Sequence, residues 1–152
     1  MRRVALVGFV ASLILGVLAV PGTAATKDPC KVLKQREIAK AFGATVGNPK
    51  QAGGTAVSAD CQWTISGGTA GAGTLTVHVM TIGASPAYAG LQKVSSYVPV
   101  AGYPKSLWAE ALSVVEVLRG NVLLGVQGGF PDKTSDIQAP LVRLSKIAVK
   151  RV

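Results

Sequence analysis

One histidine, two cysteines and seven carboxylates are the whole stock of such groups in this 152-residue chain. Each scarcity removes a class of chemistry. A zinc centre takes three or four ligands, more than His78 supplies once Cys30 and Cys61 bond to each other. A Ser-His-Asp triad would have to use His78 with Asp60, Asp132 or Asp136, and no serine stands in a Gly-x-Ser-x-Gly turn. Glycoside hydrolysis needs two placed carboxylates. Beyond Asp28 the chain offers Glu37, Asp60, Glu110, Glu116, Asp132 and Asp136, and no pair is marked by its setting. The glycine-rich run "SGGTAGAG" (66–73) lacks the lysine and the following helix of a phosphate loop. The sequence therefore assigns no catalytic residue, no metal and no cofactor, and a non-enzymatic protein is expected.

Long apolar runs are also scarce. The single one, Val4 to Val20, follows Arg2 and Arg3, ends at Pro21 and precedes the small residues Thr23, Ala24 and Ala25. That is the order of a secretory signal and its cleavage site. The competing reading is a retained anchor, for which a run of about 17 residues is at the short limit. The twin-arginine route has little support, because no polar residue precedes the pair. Cleavage after Ala25 leaves 26–152, a single domain that has lost Arg2 and Arg3 and keeps fourteen basic and seven acidic side chains. No later run approaches membrane length, so the expected place is outside the cytoplasm, in the medium or the cell envelope.

In that setting Cys30 has three readings. A lipid anchor needs small or apolar residues before the cysteine, and Lys27, Asp28 and Pro29 do not fit. A reactive thiol needs a base or cation held against it; Lys27 and Lys31 are near in sequence. A disulfide needs only Cys61, which makes an even set with one pairing in an oxidising compartment. It would close a loop of about 32 residues, and the chain-entropy model gives roughly 3–4 kcal/mol for that. The disulfide accounts best for the compartment.

Hydrophobic periodicity divides the rest. "KQREIAKAFG" (34–43) predicts a helix with Ile38, Ala39 and Phe42 on one face and Gly43 as its stop. Residues 44–59 read as loop. "CQWTIS" (61–66) and "TLTVHVMT" (74–81) alternate and predict paired antiparallel strands, with His78 on the outer face. Ser85-Pro86 reads as a helix start, with Tyr88, Leu91 and Val94 on one side. Residues 98–111, with two prolines and a glycine, read as irregular. "LSVVEVLRGNVLLGVQ" (112–127) is a hairpin turning at Gly120-Asn121. Glu116, inside its apolar run, is expected on an edge or outer face opposite Arg119 or another base. Residues 134–152 predict a closing helix with Ile137, Leu141, Leu144 and Ala148 as its stripe. The order is helix, two strands, helix, two strands, helix. It implies an α+β fold, an antiparallel sheet of four or more strands with helices packed on it.

"DPCKVLKQREIAKAFG", "ADCQWTI", "VAGYPKSLWAE", the hairpin and the closing helix, taken in that order, resemble a family of small exported proteins and lipoproteins of actinobacteria with no assigned activity. The resemblance spans Asp28 to about Val149. It implies that Cys30 and Cys61 pair and that the fold is α+β, and it supplies no catalytic residues. This chain departs from it by placing Lys34 where a Thr or Ser often caps the first helix, and by lacking a lipid-bearing cysteine.

The basic residues supply the remaining lead. Lys31, Lys34, Arg36 and Lys40 cluster at the first helix, and Arg143, Lys146, Lys150 and Arg151 at the last, opposite its apolar stripe. The plain reading is a solvated helix face. The functional reading is attraction to anionic envelope polymers, lipid head groups or an envelope protein. Nucleic acid would be attracted too, but an exported protein seldom meets it. Two further readings compete. One is a secreted inhibitor or interaction domain that contacts partners through 98–111, with Tyr103 and Trp108 exposed. The other is a carrier holding an apolar ligand between sheet and helices. Trp63 and Trp108 are both expected in the core rather than as ligand platforms; Trp63, alternating with Cys61, should pack beside the disulfide, and Trp108, in the irregular segment with Tyr103, is the better of the two for an exposed contact.

Overall fold

The computed structural model describes residues 27–131 and 136–152. The expected signal at 1–25, Asp132 and the first two residues of the expected closing helix (134–135) lie outside them. Among the described residues no helix is long and apolar enough to cross a membrane.

The chain opens on a 3₁₀ turn, Pro29–Lys31, preceded by Asp28, whose carboxylate accepts from the Cys30 N–H at 3.0 Å. Helix α1 spans Gln35–Phe42. It starts without a capping hydroxyl, because the Glu37 carboxylate reaches back to the Lys34 N–H at 2.8 Å. Gly43 ends it with φ 62°, the left-handed conformation that suits glycine. Next come β1 (Thr45–Val46), β2 (Lys50–Gly54), β3 (Ser58–Ser66) and β4 (Gly73–Met80). Helix α2 (Ala84–Leu91) follows, then β5 (Val98–Pro99), β6 (Ser106–Ala109), β7 (Val114–Arg119) and β8 (Val122–Gly129). Helix α3 (Gln138–Ala148) runs into a last 3₁₀ turn at Val149–Arg151.

Among the described residues the eight strands form one antiparallel sheet in the order β1-β3-β4-β8-β7-β6-β5, with β2 also paired to β3. The α+β class, the pairing of β3 with β4 and the β7–β8 hairpin agree with the sequence. At the hairpin tip only Gly120, φ 58°, takes a positive φ, which fits the type II′ arrangement with glycine first.

Four expectations need correcting. The loop at 44–59 contains β1 and β2. The irregular stretch 98–111 contains β5 and β6. Helix α2 begins one residue before Ser85 with Gly83 at its N-cap, so Pro86 sits in its first turn, where no N–H is needed. The last helix is shorter than 134–152: its α-helical part starts at Gln138, whose N–H is accepted by Asp136.

Strand register sets the two faces. Trp108, Val115, Val126, Val77 and Cys61 lie in one row across five strands. They pack with Trp63, Ile38, Phe42, Leu141, Leu144 and Ala148 into the main core. Helices α1 and α3 therefore lie side by side on this face. On the other face Leu107 and Leu123 pack with Ala84 and Tyr88 of α2 in a smaller cluster. The Cys30–Cys61 disulfide, with Cα atoms 5.2 Å apart, ties the opening turn to the middle of β3. It leaves no free cysteine among the described residues.

Candidate functional site

Because the apolar stripes of α1 and α3 face the same sheet surface, their polar sides share one side of the molecule. Lys31, Lys34, Arg36, Lys40, Arg143, Lys146, Lys150 and Arg151 are all exposed. Among the described residues the two helices lie side by side, Arg151 alone is placed against α1, and the eight divide by role.

Three of the eight are engaged locally. Arg151 grips Glu37 through two hydrogen bonds of 2.6 and 2.8 Å and donates to the Val32 carbonyl at 2.8 Å. It fastens the end of the chain to α1. Hydrogen bonding from Arg151, opposed by burial and helped by the Lys34 backbone N–H, holds the Glu37 carboxyl at about 2, against an ordinary 4.5. Lys31 pairs with Asp28 at 3.2 Å, on a side chain that is 83% exposed, so that pair adds little. Lys146 sits 5.1 Å above the Tyr103 ring, a cation–π contact. By contrast Arg36, Lys40, Arg143 and Lys150 have no ion-pair partner among the described residues. Their charge is available.

The Arg151–Glu37 pair has a measurable consequence. A depressed carboxyl pKa contributes stability that is present above about 4.5 and lost as the pH falls toward 2. Arg151→Ala should cost about 1 kcal/mol at neutral pH, as expected for a partly exposed bidentate pair. It should also flatten the stability profile between those pH values in urea unfolding. An unchanged acid limb would show that the pair is not formed in solution.

The partner-contact candidates fare differently. Trp108 is not exposed: it is 7% accessible, lies in β6 and belongs to the main core. All four residues of β6 are buried, so the strand has no alternation by which its sequence could show it. Tyr103 is half-buried under Lys146, and burial raises its phenol pKa against an opposing pull from the Ser145 hydroxyl. What remains at this edge of the sheet is an open groove lined by Tyr88, Pro99, Val100, Tyr103, Lys105 and Leu107, among others.

A second constellation was legible only in part. Asp60, His78, Gly125, Glu116 and Leu107 form one row on the α2 face. Glu116 lies on the face away from the main core and meets a base, as expected, but the base is His78 and not Arg119, and the residue is buried, 5% accessible, on an interior strand. His78 Nε2 lies 3.2 Å from Glu116 Oε2, spanning the intervening strand. Gly125 makes this possible. A Cβ there would stand 1.9 Å from the imidazole Cε1. His78 is thus a packed, partnered residue, its side chain 29% exposed, and not a plain outward one. Arg119 instead donates to the Val149 and Val152 main-chain oxygens. Burial lowers the imidazole pKa, but the Glu116 hydrogen bond and the charges of Glu116 and Asp60 outweigh it, so the net shift is upward from 6.5.

Among the described residues no three His, Cys, Asp or Glu side chains converge on a common metal position. No protein-family model, curated protein or solved structure matches this chain.

Proposed function

We propose that the chain is an exported, non-enzymatic protein of the cell envelope that docks on an anionic surface through its α1–α3 layer. The observation that carries this is the segregation of charge. Arg36 and Lys40 on α1, Arg143 on α3 and Lys150 on the turn that follows it have no ion-pair partner among the described residues, while Asp60 and Glu116 lie in one row on the opposite face of the sheet. The Cys30–Cys61 disulfide supports an oxidising, extracytoplasmic setting. The target carries phosphate or carboxylate groups, and its source is an envelope polymer or a lipid head group.

Cosedimentation separates the sources: purified cell walls in one arm, vesicles containing anionic lipid in the other, each at low and high salt. Basic side chains near an anionic lipid surface contribute about 1 kcal/mol each. Replacing Arg36, Lys40, Arg143 and Lys150 with Gln should therefore lower affinity by about three orders of magnitude without changing the unfolding midpoint. Salt should weaken the unmutated protein in the same arm, since screening shortens to about 3 Å at 1 M. Binding that ignores both salt and the four substitutions would sink the proposal.

A further inference from the structure

The His78–Glu116 pair lies outside the basic layer, and the docking proposal makes no use of it. It joins the only histidine in the sequence to a buried carboxylate across an intervening strand. The sequence position that allows the contact, Gly125, has no side chain to put between them. We propose that this pair is a proton-operated latch. With His78 charged, the pair is neutral in sum and α2 stays seated; with His78 neutral, Glu116 keeps a buried charge without a counter-charge, and α2 with the 92–97 segment lifts from the sheet.

The surroundings fit such a device. From β3, Asp60 faces the imidazole, so the histidine stands between two carboxylates. From β7 comes Glu116, and from β6 the uncharged Leu107 opposite it. From β8 comes only Gly125, flanked on that face by Leu123 and Gln127, which carry no charge. From the segment after α2, Tyr97 lies near enough to Glu116 that burial and the carboxylate charge together raise its phenol pKa. Lys93 of the same segment is exposed and forms no ion pair with Glu116. Tyr88 of α2 is held among apolar neighbours, and burial raises its phenol pKa too. Among the described residues His78 is therefore the cation that Glu116 meets. A neutral imidazole can still donate from Nε2, but it does not cancel the charge, and an unpaired buried charge is costly. The proton has a route, because His78 is the partly exposed member.

The lid is correspondingly weak. Helix α2 has eight residues, one of them Gly90, and no side-chain cap. A helix this short has little stability of its own. It contributes only Ala84 and Tyr88 as fully packed residues to the small cluster. Elements with so few buried contacts are the first to open locally. Opening would uncover Leu107 and Leu123, which are 2% and 3% accessible when α2 is seated.

The sign follows from the upward shift of His78. Its contribution is complete below about 6.5 and is lost as the pH rises through the folded value, so the latch is closed in acid and loosened in alkali. The test is amide exchange of Ala84–Leu91 in the purified protein at about pH 5.5 and 8.5, either side of the ordinary histidine range, corrected for intrinsic rates, together with the NMR titration of His78. The expected result is that His78 titrates above 6.5 and α2 protection falls severalfold at the higher pH, while α1 and β3 stay constant. His78→Gln should give low, pH-independent α2 protection. Glu116→Gln should keep protection at both pH values, and it serves if the histidine variant does not fold. Equal protection of the unmutated protein at the two pH values, or a fall that persists in either variant, would overturn the latch.

Discussion

Replacing Cys30 and Cys61 together with alanine should lower the stability of the folded chain by about 3–4 kcal/mol, the value of a loop this size in the chain-entropy model. The two positions are 31 residues apart, and the bond spans everything between the opening turn and the centre of the sheet. Domains of this size have about 5–15 kcal/mol in total, so the loss would be a large fraction. Cys61 is wholly buried, and alanine is the better replacement because serine would add a hydroxyl to the core. Urea unfolding of the double variant, and of the unmutated protein with and without reductant, measures the effect. The variant and the reduced protein should agree. A loss below about 1 kcal/mol would mean that the reduced chain keeps this loop closed when unfolded, contrary to the chain-entropy account. The consequence reaches the docking layer, because the opening turn carries Lys31 and leads directly into α1, where Arg151 is fastened.

What the sequence revealed and hid has a common physical cause, which is whether an element has one buried face or none or two. Strands β3 and β4 have one: Cys61, Trp63 and Ile65, and Leu75, Val77 and Val79, are buried while their neighbours are not. Their alternation is readable. Strand β2 has none. Lys50 to Gly54 are all exposed and join the sheet by backbone bonding to β3 alone, which leaves no pattern in the side chains. Strand β6 has two, so Ser106 to Ala109 show no period. Without a period the strand reads as an irregular segment, and the core place expected for Trp108 comes from its residue type, not from any pattern around it.

The basic stripe of α3 was readable from its spacing. That α1 lies beside it was not, since that depends on both helices choosing the same face of the sheet. The latch was half legible. A hairpin turning at Gly120-Asn121 sets Glu116 opposite Gly125, and a glycine facing an acid inside an apolar run marks a place where something approaches closely. What approaches is His78, 38 residues away from Glu116, and only the neighbouring of β4 and β8 brings it there.

Trp63→Ala should be the most damaging single substitution, at about 3–5 kcal/mol for a large aromatic removed from a core. Trp63 is 0% accessible and lies between Cys61 and Ile65 on the packed face of β3. With Cys30, Leu33, Lys34 and Gln35 it lines a shallow groove at the start of α1. The residue is not ideal for its place, however. Its indole Nε1 is buried with no hydrogen-bond partner among the described residues. An unmet buried donor costs about 1–3 kcal/mol. Trp63→Phe loses packing volume but also removes that donor, and the two effects oppose each other. It should therefore cost less than about 2 kcal/mol, well below the alanine variant. Urea unfolding followed by circular dichroism reads both. A phenylalanine variant as unstable as the alanine one would show that the indole N–H is satisfied in solution. The pair of variants also separates support from contact in the docking proposal. Trp63→Ala undermines the start of α1 and should lower both stability and anionic binding, whereas the four-fold glutamine variant should lower binding alone. If Trp63→Ala weakened the fold and left binding intact, the cations of α3 would suffice without α1.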